Sequence, residues 1–127
     1  MKRVGAGIRA AKVGEVLRVE ILGEIDHHST ASVREQIDEG MYTERPKEVR
    51  LDLSGMRFMD SSGLGLIVGR LVTAKEIGCT VTITGADART LRIFEMAGLE
   101  RMRGLTIEKR REGVSPTVTT VKGKKSS

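Results

Sequence analysis

Residues 56–70 read "MRFMDSSGLGLIVGR". An acid, two hydroxyls and two nearby glycines stand where an apolar extended stretch gives way to apolar positions spaced for a helix. A junction of this kind can be a helix cap, a nucleophile, a phosphate cradle or a target for modification. The segments on either side decide which fold surrounds it.

Upstream, "VLRVEILGEI" alternates Leu17, Val19 and Ile21 with Arg18 and Glu20, the period of a half-buried strand. "VRLDLS" repeats the pattern with Val49, Leu51 and Leu53, and "CTVTIT" with Val81 and Ile83. A short strand before Val13 and another around "RMRGLTI" extend the set. Between the strands the period becomes helical. Ser29 is placed to cap a helix whose Val33, Ile37 and Met41 share a stripe. In "SSGLGLIVGRLVTAKEIG" the apolar positions Leu64, Ile67, Val68, Leu71 and Val72 follow the spacing of a buried helix face, and Gly78 ends it. In "DARTLRIFEMAGL" Asp87 caps, Leu91 and Phe94 point inward, and Gly98 terminates. The order β, β, α, β, α, β, α with short connections implies right-handed parallel crossovers after a first hairpin. Polar residues on the alternate strand positions leave one sheet face in need of cover. The expectation is a two-layer α/β domain, a mixed four- to five-stranded sheet with helices mainly on one face.

A chain of 127 residues buries enough surface for a core without disulfides. The single cysteine, Cys79, opens a strand and reads as a small buried hydrophobe, with nothing at metal-ligand spacing. The longest apolar run, near Leu64–Val72, is broken by Gly65, Gly69 and Arg70 and falls short of the ~20 residues a bilayer requires. The basic N-terminus has no apolar stretch suited to a signal peptide, so a cytoplasmic protein without a membrane partner is expected. The formal charge is +5, of which +4 sits in residues 108–127. The domain is therefore set at residues 1–107, followed by a basic tail that loses periodicity and reads as largely disordered. Two Phe, one Tyr and no Trp offer little for base stacking, which argues against nucleic acid as the partner.

At the junction, Asp60 or Ser61 can cap the helix, but capping does not call for glycines directly behind. Neither serine has the flanking glycines of a nucleophile elbow, although His27 or His28 would be the base of such a site. No lysine follows the glycines, which removes a P-loop. Gly63 and Gly65 instead strip side chains from the first helical turn, so that another protein's active site can approach Ser61. His27 and His28, after Asp26, read either as a polar loop capped by Asp26 or Ser29 or as part of a contact surface. Met96, beside Phe94, reads as core.

"FMDSSGLGLIVGR", "GEIDHHSTASVREQI" and "IFEMAGL", in this order across roughly residues 8–100, resemble the bacterial anti-sigma factor antagonists that define the STAS domain. The resemblance implies a non-catalytic binding module without metal or cofactor. It makes Ser61 the phosphoacceptor, modified by an anti-sigma factor that is itself a serine kinase and restored by a serine phosphatase. The unphosphorylated form would hold the anti-sigma factor, free the sigma factor and so control transcription, in sporulation or stress. Asp60, Ser62, Gly63 and Gly65 would then belong to the partner-binding turn. Met59 is the methionine expected to touch a partner, and Asp26, His27 and His28 lie near the same surface. A phosphate on Ser61 would meet the dipole and free amides of the helix N-terminus and leave the fold intact. Members typically end in a further amphipathic helix, which "KRREGVSPTVTTVKGKKSS" does not supply. A STAS subunit of another signalling or lipid-transport assembly is the neighbouring reading, and a nucleic-acid-binding protein using the basic tail a more distant one.

Overall fold

Gly14 and Glu15 form a two-residue turn in which Gly14 has φ of 62°, a conformation glycine reaches without strain. This turn joins β1 (Gly7–Val13) to β2 (Val16–Ile25) as an antiparallel hairpin. The computed structural model describes residues 7–109; the tail expectation for residues 110–127 lies outside them. After the hairpin come α1 (Thr30–Glu44), β3 (Glu48–Asp52), β4 (Met56–Met59), α2 (Ser62–Glu76), β5 (Thr80–Thr84), α3 (Ala88–Met96), a 3-10 turn (Leu99–Arg101) and β6 (Leu105–Ile107). The sheet runs β1-β2-β3-β5-β6, and every pairing after the hairpin is parallel.

β4 is an element that the alternation does not announce. Its four residues, read in sequence only as an apolar extended stretch before the helix, pair in parallel with the far half of β2, Ile25 opposite Met59. β2 is ten residues long and forks: Val16–Glu20 pair with β3, and the end beyond a register shift at Gly23 pairs with β4. Gly23 has φ of 87°, which lets the strand change direction there. The sheet therefore has six strands.

Leu17, Val19, Ile21, Val49, Leu51, Val81 and Ile83 line one face and join Val33, Ile37, Met41, Ile67, Leu71 and Phe94 from the helices in one core. The opposite face is charged and cross-linked. Arg9 pairs with Glu20 at 3.5 Å, and Arg50 bridges Glu48 at 3.1 Å and Glu108 at 2.9 Å. Glu48 also accepts a hydrogen bond from the Thr82 hydroxyl at 2.6 Å. Among the described residues this face shows no apolar stripe for a final amphipathic helix to cover. Residues 108 and 109 remain tied to the domain, through the Arg50–Glu108 pair and the Lys109–Glu100 pair at 2.7 Å.

α2 is rotated relative to the sequence expectation. Its buried positions are Gly63, Leu66, Ile67, Arg70, Leu71, Thr73 and Ala74, whereas Leu64 and Val68 are half-buried and Val72 is 56% exposed. The stripe passes through Arg70, which reads in sequence as a polar interruption but is buried against Asp38 of α1 at 2.8 Å. The expectation for Met96 is also corrected: it is 81% exposed, because α3 turns Thr90 and Phe94 inward and leaves Met96 on its outer side.

Asp87 caps α3 as expected, its Oδ1 accepting the Thr90 amide at 2.8 Å. Asp87→Ala is expected to cost about 1 kcal/mol, read as a lower urea midpoint. The Thr90 amide holds the Asp87 carboxyl below the usual carboxylate range. A depressed folded-state value means that the contribution is complete above the unfolded value of about 3.9 and fades as pH falls through the lower folded one. The wild-type advantage over Asp87→Ala should accordingly shrink in acid.

Candidate functional site

The carboxyl ends of β2 and β4 bring two loops side by side. The Asp60 amide donates to the Ile25 carbonyl at 3.1 Å, which fixes the Asp60–Ser62 turn beside the loop that begins at Asp26. α1 and α2 both start at this end, so their positive N-termini converge there.

Of the two expected caps for α2, Asp60 acts and Ser61 does not. Asp60 Oδ1 accepts the Ser62 amide at 2.9 Å and also the Ser62 hydroxyl, in a short contact. The Gly63 amide donates to the Asp60 carbonyl at 2.9 Å and the Leu64 amide to the Ser61 carbonyl at 3.1 Å. Ser61 itself has helical φ and ψ of −63° and −19°, is exposed, and its hydroxyl makes no hydrogen bond among the described residues. The expectation of free amides for an anion on Ser61 holds only in part: the amides of Ser62, Gly63 and Leu64 are engaged, the first two by Asp60, while the amide of Ser61 itself has no hydrogen-bond partner among the described residues. The dipole and that one amide remain to favour the anion.

The neighbouring loop is built the same way. Asp26 Oδ1 accepts the amides of His28 and Ser29, each at 3.0 Å. The Ser29 hydroxyl turns back to the Glu24 carbonyl at 3.0 Å and accepts the Asp26 amide at 3.1 Å, so Ser29 braces the loop where a helix cap was expected. The Ser29 amide, ahead of the weaker opposing effect of burial, holds the Asp26 carboxyl below its ordinary range. His27 and His28 are exposed and stack on each other, with ring centroids 4.3 Å apart. Neither ring is hydrogen-bonded to Ser61 or Ser62, and no group of three or more potential metal ligands forms among the described residues. No helix among those residues is long and apolar enough to cross a membrane.

Two of the expected contact residues are not at the surface. Met59 is 5% exposed, and its side chain lies beneath the first turn of α2, where a Cβ on Gly63 would overlap its Cγ and Sδ. Met59 and Gly63 thus seat the turn from beneath. Gly65 is the open one: it is exposed, and a Cβ there would meet nothing within 4 Å. The exposed group that sequence reasoning passed over is Phe58, whose ring lies under the Arg89 guanidinium at 5.6 Å. The signal was its rarity, one of two Phe in the chain.

Residues 7–114 match the STAS domain. The chain belongs to the STAS-domain family. The anti-sigma F factor antagonist of Paenibacillus polymyxa is 37% identical over 84 residues, covering 66% of this chain and 72% of that protein. The anti-sigma-B factor antagonist of Bacillus subtilis is 32% identical over 84 residues, covering 66% and 75% respectively. Among solved structures, the Bacillus cell fate determinant SpoIIAA in its phosphorylated form superposes with a TM-score of 0.62 at 21% identity, over 82% of this chain and 93% of that one. The STAS fold so identified accounts for the mixed sheet with its helices on one face. It also places the Asp60–Ser62 turn at the exposed start of α2.

Proposed function

We propose that this STAS domain is an anti-sigma factor antagonist, a non-catalytic cytoplasmic module that holds an anti-sigma factor with serine kinase activity and is released when that kinase phosphorylates Ser61. A serine phosphatase restores the binding form. The curated relatives support the class of partner. The observation that carries the choice of residue is the Ser61 hydroxyl, exposed and unbonded while Asp60 and Ser62 are engaged with each other.

The switch follows from charge. A phosphate brings about −1.5 to −2 charges at pH 7. On Ser61 it stands next to the Asp60 carboxylate, which repels it and already holds the Ser62 amide, so it is directed outward. A docked partner would have to bury that charge without compensation, which costs several kcal/mol. The fold loses nothing, since the hydroxyl that is esterified makes no hydrogen bond among the described residues. Circular dichroism and thermal melts of the two forms are therefore expected to coincide.

The test is incubation with the cognate anti-sigma factor and ATP, followed by mass spectrometry of the peptide containing Ser61. One phosphate on Ser61 is expected, with binding weakened about 100-fold or more by an uncompensated buried charge. Ser61→Ala should still bind and stay bound in the presence of ATP. Phosphate on another residue, or undiminished binding by the phosphorylated form, would overturn the reading.

A further inference from the structure

α3 begins at the same end of the sheet as α1 and α2, and its outer side carries a second feature. Arg89 lies two residues after the Asp87 cap, over the ring of Phe58, which is itself three residues before Ser61. Residues 89, 92 and 96 share the helix side opposite the buried Thr90 and Phe94, because intervals of three, four and seven fall on one face. That side therefore presents Phe58, Arg89, Arg92 and Met96 in a strip that runs about 10 Å along the helix from Arg89. Neither Arg89 nor Arg92 makes an ion pair among the described residues, and Met96 is the most exposed large hydrophobic residue described, at 81%. Glu95 lies to one side, where its charge acts on Lys109.

Resting on the function proposed above, we infer that this strip is the second half of the docking surface and takes an acidic segment of the anti-sigma factor bearing an apolar residue. The two unpaired guanidiniums call for carboxylates. Met96, at the far end of the strip, calls for an apolar side chain. Arg and Met are enriched at interface cores, and an arginine already stacked on an aromatic ring is held in place before the partner arrives. The strip is continuous with Ser61 through β4, yet it lies outside the turn a kinase cleft must enclose. It grips the partner independently of the phosphoacceptor.

The experiment measures affinity of the full chain for the cognate anti-sigma factor by titration calorimetry at two salt concentrations. Arg89→Glu is expected to weaken binding about 30-fold and Met96→Ser about fivefold. Arg89→Glu should also flatten the salt dependence. Val72→Ser, an exposed apolar residue on α2, should bind as wild type, and urea midpoints should confirm that all variants fold. Wild-type affinity in both Arg89→Glu and Met96→Ser would overturn the strip and leave the function standing. Strip-dependent self-association without an effect on partner binding would also overturn it, in favour of a second copy of the chain. Failure of the wild-type chain to bind any anti-sigma factor overturns the functional reading and the strip with it.

Discussion

Asp38→Ala lowers the unfolding free energy by about 3 kcal/mol or more, the cost of leaving a buried charge without its partner. Arg70 is 4% exposed in the seam between α1 and α2, and its Nε lies 2.8 Å from Asp38 Oδ1. The contact is close but off the N–H axis, and Nη1 has no hydrogen-bond partner among the described residues. Charge attraction therefore holds the pair more than hydrogen bonding does. Burial pulls the Arg70 guanidinium below its ordinary range, Asp38 opposes that shift, and nearby Arg34 adds to it. Removing Asp38 leaves desolvation and the Arg34 repulsion unopposed. The double variant Asp38→Leu with Arg70→Leu should return to within about 1–2 kcal/mol of wild type, since apolar pairs of similar volume often replace buried ion pairs without loss. Urea unfolding of the three proteins decides the matter. A single variant as stable as wild type would show that the guanidinium finds water instead.

Gly63→Ala is the second large effect, about 2 kcal/mol of destabilisation. The new methyl overlaps Met59 near its own backbone end, and a buried side chain at 5% exposure has little freedom to move away. Overpacking of this kind typically costs about 1–3 kcal/mol, against up to about 1 kcal/mol gained from the better helix former. Gly65→Ala, two residues on, meets open space and should raise stability by about 0.5–1 kcal/mol. If bare backbone at this turn serves a partner, the same Gly65→Ala protein binds its anti-sigma factor less tightly despite being more stable. The pair of variants separates seating of the turn from access to it, through a urea midpoint and an affinity measured on each.

The alternating strands β2, β3 and β5, and the stripe Val33, Ile37 and Met41, were legible because both periods are carried by neighbours in sequence. β4 was not, since four residues without alternation become a strand only by pairing with β2. The phase of α2 slipped by one position for a related reason: Arg70 reads as surface until Asp38, 32 residues earlier, is known to neutralise it. Met59 and Met96 exchanged their expected places, one inward and one outward, because methionine suits either environment. The exposed position of Ser61 at the start of α2 was legible because the Asp60–Ser62 cluster is local. The contact between Phe58 and Arg89 is not, as it joins residues from two elements.

The grip of Ser62 on Asp60 has a regiochemical result. Two hydroxyls stand next to each other in the chain, but the proton of one is committed to a carboxylate that also secures the helix start. On the proposed function, what separates the two is not reactivity but what each hydroxyl is holding. Esterifying Ser62 would set a phosphate against the Asp60 carboxylate that caps α2, whereas an ester on Ser61 would leave that contact in place. On that reading, adjacency without equivalence would limit the domain to one ester.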